Sequence, residues 1–407
     1  MADAPTREKN KPGPLAGIRV LELTALIAGP SCARYLADHG ADVIKIERFP
    51  DGDVSRAAFT PVERGRGPMF TQHNAGKRGL CVDLKSADGI ALVLELIEQV
   101  DVLVEAFTPG VMERLGLGYE AVAARNPGIV YCSVSGFGQT GPNAKRPGYA
   151  HVAHAMSGWL AVQFLHRDPP EPPRGPGIAI GDTTAGLTAF GAICAALFKR
   201  ERTGAGEHID ISLFDALFCS NDVSYQHTLS QDGDVNVWYH PVHKTRDGYM
   251  TANVGPDYRA WSNVCAAMGR TDLLEDPRFD SREHLMANVQ AAGRMVSDWL
   301  AGLSTEDAME RLQRHHIACA PVYTVDQAVR QPQVQARELT VTVDDPVFGQ
   351  RQTMNSAFRY LNASSGVRGP APRLGEHNRE VLRDLLNFSD ERIDALAAQG
   401  VVLDGSQ

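Results

Sequence analysis

The sequence predicts an α/β protein: a large domain built on a mostly parallel sheet, with a smaller α+β domain after it. Three observations predict this. Short Val/Ile-rich runs alternate with helical stretches between residues 15 and 225, the pattern of parallel strands buried on both faces by crossover helices. The pattern turns predominantly helical near residue 235. A length of 407 residues exceeds what one compact core accommodates.

The elements follow in order. Residues 1–14 are polar and rich in Pro and Lys, and read as a flexible arm. Residues 18–23 read as the first strand, Gly29-Pro30 as a helix start and 42–46 as the second strand, which makes a short βαβ unit. Further strands are expected at 80–84, 102–105, 129–134 and 208–213, with helices between them at 90–99 and 187–198. Asp247-Gly248 reads as a turn beside a strand at 249–252. Helices at 258–268, 286–300 and 305–315 follow, then strand-like segments at 340–343 and 352–354 and a helix at 378–386 that packs back on the first domain. The expected large domain therefore comprises 15–225 and 330–407, and the small domain 238–328. Linkers lie at 226–237 and around 329.

Composition narrows the function classes. A net charge of −9 offers no global basic footprint for nucleic acid, so an anionic ligand would need a local basic pocket. Seven scattered cysteines, an odd number with no Cys-x-x-Cys, fit buried small side chains better than disulfides or a zinc site. The start lacks the apolar core of a secretory signal. No run approaches the ~18 consecutive apolar residues of a membrane span. A reduced, cytoplasmic protein without membrane or nucleic-acid partners is expected.

The most informative stretch is Gly181-Asp182-Thr183-Thr184-Ala185-Gly186, which sets one carboxylate between an apolar run and a long Ala/Leu-rich helix. There it would meet unpaired N–H groups and the positive end of the helix dipole. An ionised, accessible nucleophile fits the pattern. So does an ordinary N-cap, the commoner reading of the local pattern alone. Arg48, Arg56, Lys77, Arg78, Arg114, Lys145 and Arg146 mostly lie at or after strand ends, where open α/β sheets bind ligands, and several cations there could hold phosphate. Taken singly, each reads as an ordinary surface charge.

Other sites lack their signatures. The turn after the first strand, Thr24-Ala25-Leu26-Ile27-Ala28-Gly29-Pro30, has no Gly-x-Gly-x-x-Gly, and Gly136 to Pro142 lacks the Lys-Ser/Thr ending of a P-loop. Ser135 is not in Gly-x-Ser-x-Gly. The pairs His151/His154, His240/His243 and His315/His316 show no metal-ligand spacing and read as solvated or structurally hydrogen-bonded histidines.

Taken together, an ordered set of motifs resembles the class III coenzyme A transferases, the CaiB/BaiF or formyl-CoA transferase family. The set runs from Pro14-Leu15-Ala16-Gly17-Ile18-Arg19-Val20-Leu21 through Ala28-Gly29-Pro30, residues 40–48, Gly52-Asp53-x-x-Arg56 and Asn74-x-x-Lys77-Arg78. It continues with residues 101–105, Gly136-Phe137-Gly138, Gly181-Asp182, residues 202–206, Asp276-Pro277-Arg278-Phe279 and Leu374-Gly375-Glu376-His377. The resemblance implies that Asp182 is a covalent nucleophile, carrying first an acyl anhydride and then a CoA thioester. It implies that Arg48, Lys77 and Arg114 contact the CoA phosphates, with Arg146 in a similar basic role. Phe107 would pack near the adenine or pantetheine arm, and Leu26 and Ala28 would line the first loop. The substrates implied are an acyl-CoA, with succinyl-CoA a frequent donor, and a small carboxylic acid; no permanently bound cofactor and no metal are implied. The fold implied is a Rossmann-like large domain and a small domain joined by two linkers, two such rings interlocking as a homodimer.

The chain also departs from the family pattern. Ile27 stands where the oxalate-using members carry Gln, Ala106 where they carry Asn, and Ala150 where an acid follows the Tyr. The glycine-rich loop before the small domain is missing, and the 225–250 connection is short. These changes argue against oxalate as acceptor. The racemases of the same superfamily carry a catalytic His where Tyr149 stands, so their general base is missing. A non-catalytic CoA-binding protein is the reading from a different class.

Overall fold

The structure is a computed structural model, describing residues 11–58, 67–164, 176–221, 223–230, 242–253, 258–346 and 348–404. Residues 1–10 of the expected arm, 231–237 of the expected linker and His240 lie outside them. The chain divides into two compact units, 1–235 with 335–407, and 236–334.

The first unit contains strands β1 (Arg19–Leu23), β2 (Asp42–Arg48), β3 (Arg78–Val82), β4 (Val102–Glu105), β5 (Val130–Ser135) and β6 (Glu207–Ser212). Its helices begin with α1 (Ala28–Asp38), α2 (Pro68–Asn74), α3 (Ala87–Ile97), α4 (Val111–Arg114) and α5 (Tyr119–Arg125). They continue with α6 (Ala150–Met156), α7 (Trp159–Phe164), α8 (Ile180–Thr203), α9 (Leu213–Ser220) and α10 (Val223–Ser230). The second unit has strands β7 (Val242–Lys244), β8 (Tyr249–Ala252) and β9 (Cys319–Pro321), with helices α11 (Tyr258–Met268), α12 (Arg282–Ala287), α13 (Val289–Ala301), α14 (Thr305–Arg314) and α15 (Val325–Val329). After α16 (Pro332–Ala336), the chain closes with β10 (Thr340–Asp345), β11 (Gly349–Met354), α17 (Asn378–Leu386) and α18 (Asp390–Ala398).

The large sheet runs β3-β2-β1-β4-β5-β6, and every neighbouring pair is parallel. Strand alternation sends successive side chains to opposite faces, and two cores result. Val20, Val43, Val104 and Val134 pack with α1, α8 and α9 on one side. Leu21, Ile44, Leu80 and Leu103 pack with α3, α17 and α18 on the other. The C-terminal segment returns to this unit, where the Cys81 N–H donates to Asn378 Oδ1 at 2.9 Å and Val82 bridges Val402.

The order of strands reverses between β1 and β4, and ligands in open α/β sheets bind beyond the carboxyl ends of strands at such a point. In the second unit β7, β8 and β9 form an antiparallel sheet, and its core holds Trp261, Phe279 and Leu300.

Two sequence expectations change. The helix expected at 187–198 begins at Ile180, so Asp182 lies inside its first turn and the N-cap is Ala179. The helix expected at 286–300 is two, broken at Asn288, which ends α12 and precedes α13. By length and composition α8 could also cross a bilayer, although its longest unbroken apolar run is far short of the ~18 residues of a span. In the fold it packs against α1, α9, β5 and β6.

Candidate active site

The site is built at the carboxyl edge of the parallel sheet around the ends of β1 and β4. The turn after β1 is pinned from beneath by a fully buried set of charges. Glu22 takes an ion pair from Lys45 at 3.1 Å and from Lys77 at 2.7 Å. Lys45 also pairs with Asp53 at 3.0 Å and donates to the Thr24 carbonyl at 2.8 Å. Asp53 Oδ1 accepts the Leu26 N–H at 3.2 Å, and Leu26 takes a left-handed backbone at φ +67°. Buried charges persist only when paired this completely. Burial opposes the charge on Lys77 and pushes its pKa down to about 8, against the attraction of Glu22.

Helix α1 then brings the turn against α8. A side chain atom on Gly186 would lie 2.7 Å from the Ala28 carbonyl and 2.9 Å from Ser31 Cβ, so only glycine lets the two backbones meet. Asp182 lies four residues before Gly186, one turn away on the same helical face. The nucleophile candidate is therefore held one turn from the start of α1. Asp182 is half-buried, and burial alone raises its carboxyl pKa from 3.8 to about 6. No hydrogen-bond donor or cation pairs with that carboxylate among the described residues.

A third support comes from α6. Gly136, just past β5, and Gly148 touch backbone to backbone: a Cβ on either would lie 2.6 Å from the other's Cα. This contact seats Tyr149, which is exposed, and starts α6 at Ala150. One turn in, His154 is buried and its Nε2 accepts the Gly181 N–H at 3.0 Å. At the end of β4, burial raises the Glu105 carboxyl to about 7. Its Oε2 accepts the Phe107 N–H at 2.8 Å.

The residues singled out from sequence fall into two groups. Leu26, Ala28, Phe107 and Asp182 converge on the β1/β4 switch point: β1 and β4 pair through Leu23 and Glu105, and the loops after them carry Leu26 and Phe107. Arg48 ends β2 with its side chain exposed beside Asp51 at 3.3 Å, Arg114 ends α4 exposed, and Arg146 is exposed over the Phe137 ring at 6.0 Å.

Lys77 belongs to neither group and requires a correction. Its ammonium is buried and spent on Glu22, Asn74 and the Pro30 carbonyl, so it holds the turn in place and presents no charge to a phosphate. Arg56 likewise grips Glu47 through Nε at 2.7 Å and a terminal nitrogen at 2.6 Å, and Arg78 grips Asp42. Sequence reading missed the roles of His154 and Glu105. The His151/His154 spacing singled that pair out, but only packing separates them: His151 is exposed and stacks on Tyr149. No group of three or more His, Cys, Asp or Glu able to hold a metal occurs among the described residues.

Comparison with known proteins gives a consistent picture. Residues 15–378 match the profile of CoA-transferase family III. A succinyl-CoA–D-citramalate CoA-transferase of Chloroflexus aurantiacus is 32% identical over 400 residues, covering 96% of this chain and 98% of that protein. A mouse succinyl-CoA:glutarate CoA-transferase is 32% identical, covering 96% and 90%. The crystal structure of a CaiB/BaiF family protein from Brucella suis superposes with a TM-score of 0.80 at 30% identity, covering 92% of this chain and 100% of that one.

Proposed function

The chain belongs to CoA-transferase family III and is an acyl-CoA:carboxylate CoA-transferase, and we propose that it works through covalent intermediates on Asp182. The observation that carries this reading is the state of that carboxylate: in the first turn of α8, half-buried, with no ion-pair partner among the described residues, and with a pKa near 6. At pH 7 it is mostly ionised yet poorly solvated, the condition of an activated nucleophile.

The Asp182 carboxylate attacks the thioester carbonyl of the donor and expels CoA thiolate, leaving a mixed anhydride. The thiolate attacks the aspartyl carbonyl, releasing the donor acid and leaving an aspartyl-CoA thioester. The acceptor carboxylate attacks that thioester and expels the thiolate again. Attack of the thiolate on the acceptor's carbonyl then gives the new acyl-CoA and restores Asp182. The activated acyl bond is conserved at each step while water is kept out. The N–H groups at the start of α8 other than that of Gly181, which His154 takes up, suit the oxyanions that form.

Exposed Arg48 and Arg114 take the CoA phosphates in this reading, with Arg146 in reserve beside Phe137. Phe107 packs on the nucleotide or pantetheine arm, and the Leu26–Ala28 turn lines the acyl end. Succinyl-CoA is the donor to try first, which the names of the relatives support. The acceptor is a small carboxylic acid other than oxalate, given Ile27, Ala106 and Ala150. The working unit is a cytoplasmic homodimer of interlocked two-linker rings. Exposed apolar side chains at Ile178, Leu187 and Phe198, along and before α8, support a covering second copy.

A racemase is disfavoured because His154, the buried histidine nearest the nucleophile in sequence, is engaged at Nε2 with Gly181. The test is Asp182→Ala. Transfer from succinyl-CoA to a panel of small acids falls below detection while CoA affinity stays within about threefold. Transfer near the unsubstituted rate contradicts the mechanism.

A further inference from the structure

Resting on the transferase reading, we propose that His154 is a positioning residue that takes up the Gly181 N–H and so keeps that donor off the Asp182 carboxylate. The argument starts from where Asp182 lies. Ala179 is the N-cap of α8, so Ile180, Gly181 and Asp182 are its first three helical residues. An acidic side chain in the first turn of a helix is ordinarily stabilised by the free N–H groups and positive dipole end there. A carboxylate satisfied in that way is stabilised as the anion and loses basicity. Asp182 does not do this: its raised pKa has burial as its one cause.

The competing acceptor is the His154 ring. Nε2 lies 3.0 Å from the Gly181 nitrogen and accepts its N–H. The ring lies against Gly181: a Cβ there would stand 3.4 Å from Nε2 and 3.5 Å from Cδ2, in ordinary contact, and 3.1 Å from Leu217 Cδ1. The ring is 2% exposed, with the Trp159 ring centroid 5.3 Å away. An accepting Nε2 requires the tautomer with the proton on Nδ1, and burial disfavours the charged form of the ring. The Gly136–Gly148 contact that seats α6 fixes the ring relative to the sheet edge.

The test compares His154→Leu, which lacks an acceptor, with His154→Gln, whose amide oxygen reaches the position of Nε2. Adduct formation on Asp182 from succinyl-CoA is followed by quenched-flow mass spectrometry between pH 5 and 8. For His154→Leu the rate falls about 10- to 100-fold. The acid limb of its profile moves down by about one pH unit as the freed N–H turns to the carboxylate, while CoA affinity stays within about twofold. His154→Gln restores the rate to within about threefold and the limb to its place. A His154→Leu enzyme as fast as the unsubstituted one overturns the role, as does equal slowing in both variants with an unmoved limb. Absence of any adduct in the unsubstituted protein overturns the transferase reading with this donor, and the positioning role with it.

Discussion

Asp182 at neutral pH is a charged group in a place that resists charge. Its carboxyl is raised from 3.8 to about 6 by burial, so folding favours the protonated form. The stability linked to this group is fully present below about pH 4 and is lost as pH rises through about 6. Removing the charge while keeping the shape should therefore stabilise the fold only where the charge exists. Asp182→Asn is expected to gain up to about 3 kcal/mol at pH 8, seen as a thermal midpoint several degrees higher, and to gain nothing at pH 4. An unchanged midpoint at pH 8 would show that the carboxylate is well solvated and remove the basis for its reactivity. At the same scale, the sequence makes visible what is local along the chain and hides what is not. Asp182 stood out through its neighbours Gly181 and Gly186. Lys77 and Arg56 looked like anion-binding cations because their partners, Glu22 and Glu47, sit on other strands or loops. No spacing rule reveals that such a charge is already neutralised.

Between elements, the decisive contact is α1 against α8. Gly186 makes it possible because the Ala28 carbonyl occupies the place of its Cβ at 2.7 Å. In a helix interior, Gly→Ala ordinarily stabilises by about 1 kcal/mol. At Gly186 the sign should reverse, with Gly186→Ala costing about 1–3 kcal/mol as α1 is forced away. Gly191 in the same helix has open space where its Cβ would stand, so Gly191→Ala is the matched control and should gain about 0.5–1 kcal/mol. Urea unfolding of the two variants checks this, and a stabilised Gly186→Ala would mean the helices do not meet there. The six strands of the large sheet were legible to within two residues, because Val- and Ile-rich runs such as 102–105 are bounded by polar turns. The start of α8 was not. Gly177, Gly181 and Gly186 weaken its local helix signal, and tertiary packing against α1, rather than propensity, carries the helix back to Ile180.

Across the whole molecule, the strand order explains why residues scattered from 26 to 182 share one edge. A parallel sheet places every strand's carboxyl end on the same side, and the reversal between β1 and β4 opens a crevice there. Alternation of strands and helices foretold a parallel sheet. The C-terminal helix returns to this domain as the sequence suggests, but alternation did not foretell that it docks on β3 through Asn378 and Val402, since that contact depends on side chains nearly three hundred positions apart. The net charge of −9 belongs to this scale too: the protein's overall field does not draw an anionic thioester, so the proposed reading relies on local exposed charges such as Arg48 and Arg114.

The central claim is that Asp182 becomes covalently attached to the substrate. Intact-protein mass spectrometry after mixing with succinyl-CoA and other acyl-CoAs, followed by hydroxylamine, tests it most directly. The account predicts a CoA-sized mass increase on the peptide containing Asp182, released by hydroxylamine and absent from Asp182→Ala. Transfer activity with no adduct, or an adduct that persists in Asp182→Ala, would contradict it.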